Sequence, residues 1–539
     1  MRLQDAERAK QAAAARVVES YLARERGEHR LEVLINDTLY HEQRRLDREN
    51  RKDPVVRADV SFYRGVRRAL ARANASELEA LVSRMASRFA NEIAGHFDER
   101  VYRVATTLVP AGLSMLLSAS EPHKLASLTS LMSLRSALSE HLQIQGAVDQ
   151  VRALMSRGTL VVVPTHSSHL DSIALGYAVY LLGMPPLLYG AGLNLFKNPL
   201  ISFFMQNLGA YRVDRKKNAS LYKDVLKEYA TATLELGYNN LFFPGGTRSR
   251  SGAVEQKLKK GLLGTAMTAY VRNLQAKKPN PNLYFVPCTI SYKLVLEAET
   301  LIDDYLKEVG KSRYIIEDDE FSKPRRILNF LRSLVSLDSR VVITFGEVLD
   351  IVGNRVDFDG TSRDARGRPI DPVSYVRCDG QPVHDPQRDS QYTGEVANAV
   401  AGAFLRDNVL MSTHVVAYAL LTLLRRHNPG LDLYRLLRTG GVQPALPAGL
   451  IADEVDSIRK ALRDQPHGPR LSPELLQPDA LAIVDDALRY FSTYHSEPAA
   501  VRDGERVQHR DRNLLYYYGN RLRHYGLAGF ERREEMSHG

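Results

Sequence analysis

The sequence predicts an α/β protein with a mostly parallel sheet flanked by helices and with helical regions at both ends. Short apolar, β-branched runs alternate with helix-length segments between about residues 158 and 350. The first 150 residues carry polar-faced helical patterns, and a further helical region follows residue 399. Strands separated by helices return to the same end of a sheet and so pair in parallel. With 539 residues, 44% hydrophobic and 25% charged, the chain has a globular composition and length for roughly two to four domains. The boundaries read as an N-terminal helical region over 1–150, an α/β domain over 151–352, a polar loop or connector over 353–398 and a C-terminal helical region over 399–539.

The elements follow from local chemistry. Ser76 and Glu79 have capping-box spacing ahead of a stripe of Leu78, Leu81, Val82, Met85, Phe89 and Ile93. Thr159–Val163, Leu241–Phe243, Leu283–Val286 and Val341–Phe345 read as buried strands. Asn218 is placed to cap a helix whose face carries Leu221, Val225 and Tyr229, with Gly237 just past its end. Residues 353–395 are dense in Gly, Pro, Asp and Arg and lack periodicity, and Ser472-Pro473 signals a helix start.

Lys and Arg number 73 against 63 Asp and Glu, a net charge of +10. That balance favours a phosphate-rich partner: nucleic acid, anionic lipid or a small phosphorylated metabolite. Nucleic acid fits least, because the chain has no Trp and no basic segment interleaved with stacking aromatics. Only Cys288 and Cys378 are present and the first residues lack an apolar secretion segment, so a reducing, cytoplasmic setting is expected. From Ser172 to Tyr211 the single charged residue is Lys197, and prolines and glycines interrupt the stretch. It reads either as core or as core with Leu200, Phe203, Phe204 and Met205 also touching bilayer or an acyl chain. Val104–Ser120 invites the same two readings.

Two constellations could carry chemistry. The first, Pro164-Thr-His-Ser-Ser-His-Leu-Asp171, follows the first strand directly. A five-residue step is about 140° round a helix, so His166 and Asp171 can converge only across a strand-end turn. There, a carboxylate on one imidazole nitrogen would let the other accept a hydroxyl proton. The plainer reading makes Ser168 and Asp171 a helix cap and His166 a turn residue. His166 and His169 also have metal-ligand spacing, but no obvious further ligands complete a site. The second constellation is Phe243-Pro-Gly-Gly-Thr-Arg-Ser-Arg-Ser-Gly252. The paired Gly245 and Gly246 let backbone N–H groups approach an anion, while Thr247, Arg248, Ser249 and Arg250 add donors and charge. Lys257, Lys259 and Lys260 follow, and Arg212 and Arg215 end another expected strand. Each basic residue alone would be an ordinary surface charge; their common placement after strands raises the reading of a phosphate site.

Taken in order, these blocks resemble those of the glycerolipid acyltransferases, most closely the glycerol-3-phosphate 1-O-acyltransferase branch. The HxxxxD block is similar to His166–Asp171, and Ala191-Gly-Leu-Asn-Leu195 resembles the stretch that follows it in the family. The second block is similar to Gly209–Arg215, the third is Gly246–Arg250 and the fourth is similar to Val286–Tyr292; Phe345-Gly-Glu347 and Tyr517-Tyr-Gly-Asn520 also have counterparts. Gly245 stands where the family has Glu, and Asp214 where it has the first of two arginines, with Arg212 nearby to replace the charge.

The resemblance implies acyl transfer from a thioester of coenzyme A or acyl carrier protein to the sn-1 hydroxyl of glycerol 3-phosphate, giving lysophosphatidate. It implies His166 as general base, Asp171 as its orienting partner, and Arg212, Arg215, Gly246, Thr247, Arg248, Ser249, Arg250 and Lys259 as the acceptor site. No metal or organic cofactor is implied, and peripheral attachment to the anionic cytoplasmic face of the membrane is expected. Lysophosphatidate and dihydroxyacetone phosphate are the alternative acceptors. From another class, the chain could be a non-catalytic protein that binds anionic lipid.

Overall fold

The computed structural model describes residues 1–24, 28–106, 142–193, 199–309 and 341–527. Four helices open the chain: α1 (Leu3–Arg24), α2 (Glu28–Leu46), α3 (Pro54–Leu70) and α4 (Ala75–Ile93). The stripe from Leu78 to Ile93 is buried as its spacing predicts, but the cap is Asn74 and not Ser76. Asn74 Oδ1 accepts the Glu77 N–H at 3.0 Å, and Glu77 Oε2 accepts the Asn74 N–H at 2.8 Å. The same box chemistry works two residues earlier because Asn74 is extended and as good a cap as Ser.

The central sheet has seven strands in the order β1-β7-β6-β2-β5-β3-β4. They are β1 (Leu142–Gly146), β2 (Thr159–Pro164), β3 (Leu188–Gly192), β4 (Ala210–Val213), β5 (Asn240–Leu241), β6 (Leu283–Tyr292) and β7 (Val341–Phe345). All neighbours pair in parallel except β6 and β7. The mostly parallel α/β fold class is therefore observed. β1 lies within the stretch read as N-terminal helical region; as a half-exposed edge strand, Leu-Gln-Ile-Gln-Gly, it carries little apolar signal. β6 runs past Pro287, beyond the expected end at Val286. Pairing with β7 begins only at Cys288, so the missing proline N–H breaks no ladder bond there, while the Pro287 carbonyl accepts the Gly346 N–H.

Helices α5 (Val148–Met155), α6 (Asp171–Leu181), α7 (Pro199–Asn207), α8 (Ser220–Glu235), α9 (Lys260–Gln275) and α10 (Ala298–Val309) connect and cover the strands. α8 starts after Ala219, and the Asn218 amide turns back to the Lys216 carbonyl at 3.4 Å, so Asn218 is not the cap. The N-terminal helices share a buried cluster with Tyr211, Leu221, Val225 and Tyr229.

Helix α11 (Pro386–Asp407) begins inside the stretch read as connector, because Asp385 accepts the Gln387 and Arg388 N–H groups and Pro386 opens the first turn. Residues 355–382 upstream form only two-residue strands and a short 3₁₀ helix. In the C-terminal region, α12 (Ser412–His427) is buried from Ser412 to Leu424. It packs against α13 (Leu433–Thr439), α14 (Ala448–Arg463), α15 (Ala480–Phe491) and α16 (Arg512–Gly519). This region also holds a three-stranded sheet of Ala445–Pro447, Arg506–His509 and Ala500–Asp503, not foreseen among its helices. Ser472-Pro473 opens a one-turn 3₁₀ helix. Among the described residues no helix is long and apolar enough to cross a membrane.

In the uncharged stretch, Met205 packs against Ala191 and Ala210 while Phe203 is 51% exposed. The side chains of Leu200 and Phe204, residues 194–198 and most of Val104–Ser120 lie outside the described residues.

Candidate active site

The parallel strands β6, β2, β5, β3 and β4 all run the same way, so the loops after them meet at one edge of the sheet. That edge receives Glu297 after β6, His166 after β2, Phe243–Gly252 after β5, and Arg215 after β4.

His166 and Asp171 do converge across the turn between β2 and α6. His166 Nδ1 lies 2.9 Å from Asp171 Oδ2, with the ring 8% exposed and the carboxylate fully buried. Asp171 Oδ2 also accepts the Ser167 and Ser168 N–H groups at 2.7 and 3.0 Å, and Tyr292 donates its hydroxyl to Oδ1 at 2.6 Å. Four donors thus fix this carboxylate, and it in turn holds the proton on Nδ1 and leaves Nε2 as the basic nitrogen. Nε2 has no hydrogen bond among the described residues. Phe243 stacks on the imidazole, centroid to centroid 4.0 Å. Only half of a capping box forms: Asp171 takes the Ser168 N–H, but the Ser168 hydroxyl donates to buried Glu297 at 2.8 Å and accepts the Leu170 N–H at 3.2 Å, not that of Asp171.

The backbone of His166 is gripped on both sides. Its N–H donates to Glu255 Oε1 at 3.0 Å, and its carbonyl accepts the Ser249 N–H at 2.7 Å. The Ser249 hydroxyl is committed to the Ala253 carbonyl at 2.7 Å. Ser249 therefore spends its N–H on joining the two loops and its hydroxyl on closing its own, although the sequence placed it among phosphate donors. Burial raises the Glu255 pKa to about 7 against the opposing pull of its bond to His166 and the charge of Arg521.

The basic residues divide by what they touch. Arg248 Nη1 lies 3.3 Å from Glu297 Oε1, which also accepts the His169 N–H at 3.0 Å, while Glu297 Oε2 accepts the Ser168 hydroxyl. Arg250 pairs with Glu308 at 2.6 Å on the outer side. Arg215 has no carboxylate partner among the described residues. Its side chain is exposed, and its guanidinium stands beside the end of β3, 3.9 Å from where a Cβ at Gly192 would lie. Partial desolvation and the positive charge of Arg248 both lower its pKa. Desolvation also lowers the His166 pKa below 6.5; the Asp171 bond opposes this, while Arg248 and Arg215 reinforce it. The ring follows β2, Arg248 follows β5 and Arg215 follows β4, so the parallel strand order brings all three to one edge of the sheet.

Gly246 sits at φ +74°, and a Cβ there would come 2.6 Å from Lys259 Nζ, so the lysine lies across the glycine backbone. Thr247 is exposed beside it. Arg212 lies within β4, in register with Ala191, and strand alternation turns it to the face opposite Tyr211. Sequence reasoning missed Glu255, Glu297 and Arg521, and it named Phe243 without its stacking on His166. Arg521 donates to the Asn408 side chain at 2.8 Å and to the Ile290 carbonyl at 3.2 Å, close behind the Ser167 turn. No group of three His, Cys, Asp or Glu side chains suited to a metal occurs among the described residues.

Residues 145–291 match the Acyltransferase family model. A glycerol-3-phosphate acyltransferase of Xylella fastidiosa is 30% identical over 203 residues, 37% of this chain and 22% of that protein. Those of Aeromonas hydrophila and Pseudomonas putida are 34% and 28% identical over 212 and 207 residues, covering 24% and 23% of their own lengths. The matched segment thus spans about a quarter or less of these relatives. The resemblance read from the four blocks holds over the domain that contains them.

Proposed function

We propose that this chain transfers a fatty acyl group from a thioester to a hydroxyl of glycerol 3-phosphate. The observation that carries the reading is the His166–Asp171 pair at the same sheet edge as Arg215, which has no carboxylate partner among the described residues. His166 Nε2 takes the proton from the acceptor hydroxyl as its oxygen attacks the thioester carbonyl. Asp171 stabilises the resulting imidazolium. The tetrahedral intermediate collapses, the C–S bond breaks, and the imidazolium returns the proton to the departing thiolate. Arg215 and Arg248 neutralise the acceptor phosphate, aided by Lys259 across Gly246, by Thr247 and Arg250 nearby, and by Arg212.

Attack at the sn-1 position, giving lysophosphatidate for phospholipid synthesis, is the finer form of the proposal. The donor is acyl-CoA or the acyl form of acyl carrier protein, and the chemistry as drawn needs no metal or organic cofactor. Attachment to the anionic, cytoplasmic face of a membrane fits the net charge of +10 and the exposed Phe203, since each basic residue near such a surface adds about 1 kcal/mol of attraction. The relatives' names, glycerol-3-phosphate acyltransferase, support the acceptor.

The test is thiol release from long-chain acyl-CoA with glycerol 3-phosphate, lysophosphatidate or dihydroxyacetone phosphate supplied in turn. Stimulation by glycerol 3-phosphate above hydrolysis is expected. Stimulation by none of the three would remove the acyltransferase reading; stimulation only by another acceptor would redirect it.

A further inference from the structure

Arg215 stands on a short turn between β4 and α8, and side chains of the N-terminal region tether that turn on its inner and outer sides. Lys217, two residues along, is 7% exposed. Its ammonium lies 2.5 Å from Glu92 Oε2 on α4 and 3.5 Å from Glu42 Oε2 on α2, over the rings of Phe89 and Tyr222. Glu42 is fully buried and also holds Arg45 at 2.7 Å; Arg45 reaches Asp59 of α3 at 2.6 Å, and Asp59 takes Arg88 of α4. Three cations and three carboxylates thus form one network that crosses α2, α3, α4 and the turn. On the outside, Lys216 pairs with Glu49 at 2.7 Å and the Ser220 N–H donates to Asp37 of α2 at 3.3 Å.

The turn itself is set by Asp214. Its Oδ1 accepts the Lys216 N–H at 2.9 Å, and its own N–H donates to the Tyr222 hydroxyl at 2.7 Å. An arginine at 214 could not accept that N–H. The residue that departs from the family pattern therefore has a local task in this chain, which is to shape the turn that presents Arg215.

A lysine buried between two carboxylates loses hydration, and it is retained only where its geometry is closely matched. Moving a phosphate-binding group by about 1 Å can cost as much as 10²-fold. We infer that the N-terminal helices frame the phosphate site, with Lys217 as the positioning residue that fixes Arg215 through Glu42 and Glu92. The inference rests on the proposed function for the identity of the anion, but the clamp can be read without turnover.

The experiment compares Lys217→Met, Lys217→Arg and the surface pair Asp37→Asn/Glu49→Gln in the full chain, with thermal melting to show that each is folded. The expected result for Lys217→Met is a rise of about tenfold in KM for glycerol 3-phosphate, with kcat and the KM for acyl-CoA within about twofold of wild type. Lys217→Arg should recover most of the loss. If Lys217→Met does not fold, Glu92→Gln/Lys217→Met removes the charge from both sides of the closest pair and takes its place. The surface pair, which removes only outer tethers, should give about a threefold rise. A folded Lys217 variant and a folded surface pair that both keep the wild-type KM would overturn the inference. Wild-type protein that glycerol 3-phosphate does not stimulate would instead overturn the functional reading. In that case calorimetric binding of inorganic phosphate decides the clamp: weaker binding in the Lys217 variant supports it, and equal binding overturns it.

Discussion

Asp171 Oδ2 lies 2.9 Å from His166 Nδ1 and takes the backbone N–H groups of Ser167 and Ser168 with the same oxygen, so one atom both shapes the turn and orients the imidazole. Asp171→Asn keeps the size of the side chain but replaces one carboxylate oxygen by a donor, which either faces the turn amides or favours the wrong imidazole tautomer. Turnover should fall about 10²- to 10⁴-fold, the range of general-base catalysis. The melting temperature should fall as well, because charge-assisted bonds of about 1.5–3 kcal/mol each are weakened. Steady-state thiol release and thermal melting check the two effects.

Desolvation, with Arg248 and Arg215 adding to it, lowers the pKa of His166 below the ordinary 6.5. The reactive form is neutral, so activity should persist as pH falls through the usual imidazole range and be lost only below it. The acid limb of kcat/KM should therefore have its midpoint under 6.5; a midpoint well above that value would contradict the buried, arginine-flanked setting. The unfolded chain takes up this proton first, so the same group lowers stability on the acid side.

Among the described residues Arg215 has no carboxylate to release when it is removed, which makes it a cleaner probe of the anion site than Arg248. Arg215→Ala should raise KM for the phosphorylated acceptor about 10- to 100-fold, the equivalent of one charge-assisted contact of about 1.5–3 kcal/mol. KM for the thioester should be unchanged. Arg248→Ala should do more damage, because it also strands buried Glu297.

Glu255 separates a backbone clamp from a charge. Glu255→Gln retains an oxygen for the His166 N–H and should keep most of kcat, whereas Glu255→Leu removes it and should lower kcat about tenfold or more while the protein stays folded. Burial raises the Glu255 pKa to about 7. A folded-state pKa above the unfolded 4.5 stabilises fully below 4.5, and this contribution is lost as pH rises through about 7. Melting curves at about pH 5 and about pH 8 should therefore differ less in Glu255→Gln than in wild type.

What could be read in the sequence was decided by burial and by proximity along the chain. β2 announced itself because all six residues from Thr159 to Pro164 are buried, leaving an unbroken apolar run. β1 did not, because an edge strand covered on one side needs few apolar residues. His166 and Asp171 were legible since five positions separate them and one turn joins them. Glu255, Glu297 and Arg521 were not: each reaches the His166 turn from a distant part of the chain, and only the strand order brings them there. Capping chemistry was right in kind and wrong in place at Asn74, where two adjacent candidate boxes compete and only the backbone conformation chooses.

The most direct measurement compares His166→Ala with wild type in acceptor-stimulated release of thiol from acyl-CoA, together with calorimetric binding of glycerol 3-phosphate. Stimulation should disappear in the variant while binding remains within a few fold, because the base is lost and Arg215 and Arg248 stay in place. Stimulated release that survives without the imidazole would contradict His166 as the general base.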